Sequence, residues 1–212
     1  MKSINGYNES MTSGLALMKQ EKYSAAIQKF DDALSFRAND KDATDQRNIA
    51  LDEIAWDKAF EVYTIESFEA YLGGNTLREY YQEAHNNIKR KLVNFGEQYA
   101  QNMDIVNMEK FFNKYLSNYP SGDDVAKVKQ IMCDTYYRKG NSFALTKTNY
   151  DQTEAVKYFE KASKICIDKS DLNNKIKYAN RLAIRYGRPD RSFYTYAYDA
   201  NCKMGLSIGT VN

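Results

Sequence analysis

Between Tyr23 and Phe36 the apolar residues Ala26, Ile27, Phe30, Ala33 and Leu34 recur at three- and four-residue spacing, the stripe of an amphipathic helix. Residues 7–19 carry a second helical pattern, and the polar Gln20-Glu21-Lys22 separates the two. After Asn39-Asp40 a helical pattern resumes through Val62, with Ile49, Ala50, Ile54, Ala55, Ala59 and Phe60 apolar, and with Asp42 or Thr44 placed to cap its start. Short helices are predicted over 64–72 and 108–116. Each is followed by a break, Gly73-Gly74 or Tyr119-Pro120-Ser121-Gly122, and then by a long helix. A further pair spans 123–167, and one more helix spans 171–186. The pattern predicts an all-α chain built from about nine helices in pairs.

Parts of this pattern repeat. Thr64–Leu72 aligns with Met108–Leu116 at an offset of 44, sharing Phe68 with Phe112, Tyr71 with Tyr115 and Leu72 with Leu116. Gly14, Leu17, Tyr23, Ala26, Phe30 and Ala33 follow a small, apolar and aromatic order, and Ala155, Tyr158, Phe159 and Ala162 repeat part of it. These residues resemble the tetratricopeptide repeat (TPR), a 34-residue helix–turn–helix unit, in its divergent bacterial forms, including those of outer-membrane assembly lipoproteins. In the last unit the family's Tyr-x-x-Ala turn is lengthened to Tyr150-x-x-x-x-Ala155. The resemblance covers roughly residues 7–186. It implies a right-handed α-α superhelix of helix pairs over residues 1–187, with helix 171–186 closing the apolar end of the stack.

Beyond Gly187 the pattern changes. Pro189 ends the helical region, and Tyr194, Tyr196 and Tyr198 alternate with other residues at period two. Leu206–Val211 is strand-like again after the turn signal Asp199-Ala200-Asn201. Residues 188–212 therefore form a β-prone tail with three open readings. It docks on the last helices, pairs with a partner, or begins a second domain; the apolar run before Asn212 favours a chain that continues.

Composition narrows the function classes. The 212 residues are 43% hydrophobic and 27% charged, the balance of an ordinary soluble protein, and only two prolines interrupt the helices. A formal charge of +2 gives no global case for nucleic acid. Charge is uneven, however: from Leu172 onward seven Lys/Arg stand against two Asp, which reads as a solvated basic face or as a pointer to an acidic partner. Cys133, Cys166 and Cys202 are far apart, odd in number and without CxxC spacing, so the expectation is buried apolar thiols, with neither a disulfide framework nor a zinc site. No apolar stretch is long enough to cross a membrane, and the first residues lack the apolar core of a signal peptide. As written the chain reads as cytoplasmic; a trimmed leader would make it periplasmic or envelope-associated, with membrane association only through a missing segment or a partner.

Chemistry-bearing residues are sparse. His85 is the single histidine, within Gln82–Asn87 on a polar helix, and reads as a surface or packing residue. Phosphate-loop, dinucleotide and nucleophile-elbow glycine patterns do not occur. Gly122-Asp123-Asp124 reads as an acidic helix start, and Asn8-Glu9-Ser10 matches an N-glycosylation pattern of low specificity. No catalytic residue, metal site, cofactor or small-molecule substrate is expected. Most of the eighteen tyrosines and ten phenylalanines fall at helix-crossing positions rather than on stacking platforms for nucleic acid.

What remains is binding of a protein or peptide. TPR proteins line a concave groove with the first helix of each pair, and that resemblance places Asn8, Met11, Leu15 and Met18 inside it, with packing against the next helix pair as the alternative. Arg138–Phe143 resembles the Gly-Asn-x-x-Phe opening of clamp-type repeats, in which the asparagine, here Asn141, holds a peptide carboxylate. Lys177, Arg181 and Arg185 share one face of the following helix as candidate companions. The expected protein is a non-catalytic interaction scaffold. The alternative is the N-terminal structural or assembly module of a larger envelope-associated protein with a missing C-terminal β domain.

Overall fold

The structure, a computed structural model, describes residues 2–146 and 148–186. The β-prone tail 188–212 lies outside the described residues. Nine α-helices are present among the described residues: α1 (Lys2–Met18), α2 (Tyr23–Phe36), α3 (Lys41–Val62), α4 (Ile65–Gly73), α5 (Tyr81–Gln101), α6 (Ile105–Asn118), α7 (Val125–Ala144), α8 (Asn149–Ile165) and α9 (Leu172–Tyr186). The all-α expectation holds for these residues, and the span of α2 matches its apolar stripe. The chain forms two compact units, Met1–Lys91 and Leu92–Asn212, which divide within α5.

Helix starts follow local chemistry. The α3 start is capped by Asp40, whose carboxylate accepts from Ala43 N at 3.0 Å, rather than by Asp42 or Thr44. Asp42 and Thr44 lie inside the first turn, too far along to meet its free N–H groups, and the Thr44 hydroxyl instead donates back to the Asp40 carbonyl. Thr64 and Ser67 close a reciprocal capping box on α4, and Asp104 and Thr148 cap α6 and α8. Asp124 occupies the residue before α7, at the acidic start expected there. The C-cap of α3, Tyr63, is a non-glycine residue in the left-handed region, and Glu21, Asn39, Arg78 and Met103 take positive φ in the segments between helices. Each strained residue costs on the order of 1 kcal/mol, a cost the adjoining packing must offset.

Within unit 1, α1 packs on α2, α2 on α3 and α3 on α4. Ala26, Phe30 and Ala33 of α2 are buried, Phe30 against Gly14, and Tyr7, Ala33 and Ala43 form an apolar cluster joined by Met11 and Leu34. Trp56 is the hub of the α3–α4 core, with ring centroids 5.7 Å from Phe68, 5.3 Å from Tyr71 and 4.7 Å from the parallel ring of Tyr80. Unit 2 buries Ile105, Met108, Phe112 and Tyr115 of α6, Val128, Met132 and Tyr136 of α7, and Ala155, Phe159 and Ala162 of α8. There α7 packs on α8 and α8 on α9.

One interlock recurs. Gly14 lies under the Phe30 ring, Gly96 under Phe112 and Gly140 under Phe159, each so close that a Cβ would collide with ring carbons. The phenylalanine follows the glycine by 16 residues in the first two cases and by 19 in the third, where the turn is longer. Glycine inside a helix costs about 1 kcal/mol relative to alanine, whereas full burial of a phenylalanine contributes about 2–3 kcal/mol, so the arrangement is favourable. The sequence pattern foresees Gly14; it does not single out Gly96.

The 64–72 and 108–116 similarity has a structural basis. Tyr71 and Tyr115 are both buried, and the hydroxyl of each accepts the backbone N–H nine residues later: Tyr80 N at 3.1 Å and Asp124 N at 3.2 Å. Both of those residues immediately precede the next long helix. The tyrosine side chain thus satisfies a donor that a helix start leaves open.

Candidate functional site

The groove candidates of unit 1 lie on one face of α1. Asn8 is exposed, Leu15 is 40% exposed, and Met11 and Met18 are half-buried. Positions 8, 11, 15 and 18 are spaced 3–4–3, which aligns them along the helix. Met11 also packs against the Tyr7–Ala33–Ala43 cluster, so part of this set supports the fold. Leu15 adjoins Gly14 in sequence, so the Gly14–Phe30 interlock fixes the position of this face.

In unit 2 the clamp candidates separate. The Arg138 guanidinium donates to the Ala100 carbonyl at 3.0 Å. Asn141 accepts from Lys175 Nζ at 3.1 Å, while Lys177 and Arg181 are exposed and make no described contact with Asn141. Lys175 also lies 3.6 Å from Asp171 and 5.2 Å from the Tyr137 ring centroid, and Tyr137 donates to Asp171 at 2.6 Å. The amide oxygen of Asn141 is therefore engaged by the protein's own lysine, which has its own carboxylate partner. The clue to Lys175 in the sequence is spacing. Lys177 sits two residues, about 200°, around α9 from it, so both cannot face α7.

The cysteines correct the sequence reading. Cys133 and Cys166 are joined in a disulfide with Cα atoms 5.2 Å apart, not held as separate buried thiols. The bond ties α7 to the C-cap of α8 across a sequence separation of 33, and spacing alone gives no sign of it. Beside it Asp134, Asp168 and Asp171 line a shallow cleft with Tyr137 and Leu172. Among the described residues no group of three or more His, Cys, Asp or Glu side chains could hold a metal ion.

Unit 1 holds a buried carboxylate that the sequence reading passed over. Asp52 is fully buried on α3 and accepts from Tyr71 Oη at 3.0 Å, Arg78 N at 2.8 Å and Glu79 N at 2.9 Å. It precedes Phe68 by 16 residues, the position at which Gly14 and Gly96 stand before Phe30 and Phe112. Burial pushes its pKa up, but the hydrogen bonds outweigh that and hold it below the usual carboxylate value. Burial raises Tyr71 to about 12, with the Asp52 carboxylate adding to the shift. Two of these Asp52 contacts hold the backbone of the 76–80 loop and the third holds Tyr71 of α4, so the group positions the fold rather than facing a ligand. His85 packs edge-on against Tyr81 with centroids 4.4 Å apart, and burial followed by the nearby Lys89 charge lowers its pKa. It is a packing histidine, as its setting implies.

No helix among the described residues is long and apolar enough to cross a membrane. Compared with protein-family models, with curated proteins and with solved structures, the chain has no match.

Proposed function

We propose that the chain is a non-catalytic protein-interaction scaffold of the TPR type, its helix pairs stacked in a right-handed superhelix that holds a peptide or protein segment. The recurring small-residue-under-phenylalanine interlock supports this reading. It sets the second helix of a pair against the first through the same glycine–ring contact in three places, which is the kind of recurring contact by which tandem repeats present a row of first helices. The observation that carries the binding role is the α1 face, where Leu15 stays 40% exposed between half-buried Met11 and Met18. Methionine side chains adapt to irregular apolar partners. The test is capture of partners by the immobilised chain from a lysate of its source organism, repeated with Leu15→Glu and Met18→Glu. Loss of a specific partner with unchanged helicity supports the groove; an unchanged captured set rejects it.

The Cys133–Cys166 disulfide favours a second, compatible reading, in which these helices are an assembly module of an envelope-associated protein. Disulfides persist in oxidising compartments and are rare where glutathione and thioredoxin keep thiols reduced. Thiol alkylation in intact cells tests it. Cys133 and Cys166 protected until a reductant is added supports an extracytoplasmic address, and free alkylation of both removes that support.

A further inference from the structure

Where α3 ends, Tyr63 takes a left-handed conformation with φ 52° and carries two cations from α5. Lys91 Nζ sits 3.8 Å from the centroid of its ring. The Arg90 guanidinium meets its hydroxyl and also donates to Asn87 Oδ1 at 2.6 Å, while the Tyr63 hydroxyl donates to the same Asn87 oxygen at 3.1 Å. The acceptors are all neutral. Among the described residues neither cation has a carboxylate partner; burial lowers the Lys91 pKa, and the repulsive charge of Arg90 adds to it. Holding two cations against one ring with no counter-ion is unfavourable, and an incoming anion would relieve it. Arg90 uses one terminal nitrogen for its described bonds, so the rest of its fork remains available to a carboxylate.

An apolar surface adjoins the cations. Phe60 is 49% exposed, with its ring edge-on to Tyr63 at 5.3 Å and 5.8 Å from Trp56. An exposed apolar ring beside unpaired cations complements a ligand that is apolar and anionic at neighbouring positions.

We infer that Phe60, Tyr63, Arg90 and Lys91 form a docking site for a protein segment that presents an aspartate or glutamate side chain beside an apolar residue. The carboxylate pairs with Arg90 and Lys91 while the apolar side chain covers Phe60. The site rests on the scaffold reading and gives its partner a chemistry, at a place separate from the α1 face.

The experiment selects phage-displayed random peptides on the full chain, in parallel with Arg90→Gln/Lys91→Gln and Phe60→Ser chains whose helicity is checked by circular dichroism. The wild-type chain should enrich peptides with an acidic residue next to an apolar one. Synthetic versions of these should bind about tenfold or more weakly when Asp or Glu is replaced by Asn or Gln, the worth of one charge-assisted hydrogen bond. The double variant should lose the preference for the acid, and Phe60→Ser the preference for its apolar neighbour. Since Arg90 and Lys91 support Tyr63, a Lys91→Met chain, which keeps the stem, guards against misfolding and should show the same loss of acid preference. Enriched peptides without an acidic residue, or a preference that survives the double variant, overturn the inference while leaving the scaffold reading intact. Displacement of the peptides by millimolar inorganic phosphate as effectively as by a competing acidic peptide marks a simple anion site and overturns it too. A wild-type chain that enriches no sequence counts against both readings.

Discussion

Gly96 lies directly beneath the Phe112 ring, and a Cβ on Gly96 would fall inside the van der Waals envelope of ring carbons Cε1 and Cδ1. The same relationship joins Gly14 to Phe30 and Gly140 to Phe159, with a Cβ in each of those falling 2.5 Å from the nearest ring carbon. Close approach of two helices is here a matter of one missing methyl group, so a minimal substitution has a large expected effect.

Gly96→Ala should destabilise the Leu92–Asn212 unit by about 1–2 kcal/mol. Overpacking a buried ring costs about 1–3 kcal/mol, and the better helix propensity of alanine returns up to about 1 kcal/mol. Urea unfolding measures it. In the Gly96→Ala background Phe112→Leu should cost less than it does alone, because the smaller side chain relieves the clash. Additive effects would show that the ring and the glycine are not coupled.

Asp52→Asn should destabilise the Met1–Lys91 unit by about 1–3 kcal/mol, since the amide cannot accept all three donors that the carboxylate satisfies. The pH dependence follows from the same contacts. The folded pKa of Asp52 lies below its unfolded value, so its stabilisation is complete above about pH 4 and is lost as pH falls through the folded value. Tyr71 acts at the other end. Its folded pKa is raised from 10.0 to about 12, so its contribution is complete below pH 10 and is lost as pH rises through about 12. Acid and alkaline titrations of stability should show both limbs in the natural chain, and Asp52→Asn should flatten the acid one.

Reduction of Cys133–Cys166, or a Cys133→Ser/Cys166→Ser chain, should cost the C-terminal unit about 3–4 kcal/mol, the loop entropy of a cross-link spanning 33 residues. Hydrogen exchange should quicken most at the α8 end and in α9, which packs on α8 and buries Leu172 and Ala179. Equal exchange in oxidised and reduced chains would contradict a structural role for the bond.

Lys175→Ala should cost about 1 kcal/mol, because the ammonium bonds Asn141, pairs with Asp171 and lies over Tyr137. Lys177→Ala and Arg181→Ala, both exposed, should stay within about 0.5 kcal/mol in the same unfolding assay. Equal effects at all three positions would mean that Lys175 is not held as described.

The helical order of this protein was legible along the chain, because amphipathic periodicity and cap chemistry are local. Ala26, Phe30 and Ala33 announce the buried side of α2, and the shared Phe68/Phe112 and Tyr71/Tyr115 positions announce a repeat whose tyrosines do perform one task. The sequence by itself therefore determined the all-α build of the described residues and marked the α1 face as a candidate surface. Partnerships between distant residues were decided only in three dimensions. The Gly96–Phe112 interlock, the Cys133–Cys166 bond, the three donors around Asp52, the choice of Lys175 for Asn141 and the two cations on Tyr63 all join residues from different helices or loops. A periodic pattern says which face of a helix is buried. Which side chain meets which depends on how neighbouring helices rotate and slide against one another, and that is fixed by packing rather than by any residue's own spacing.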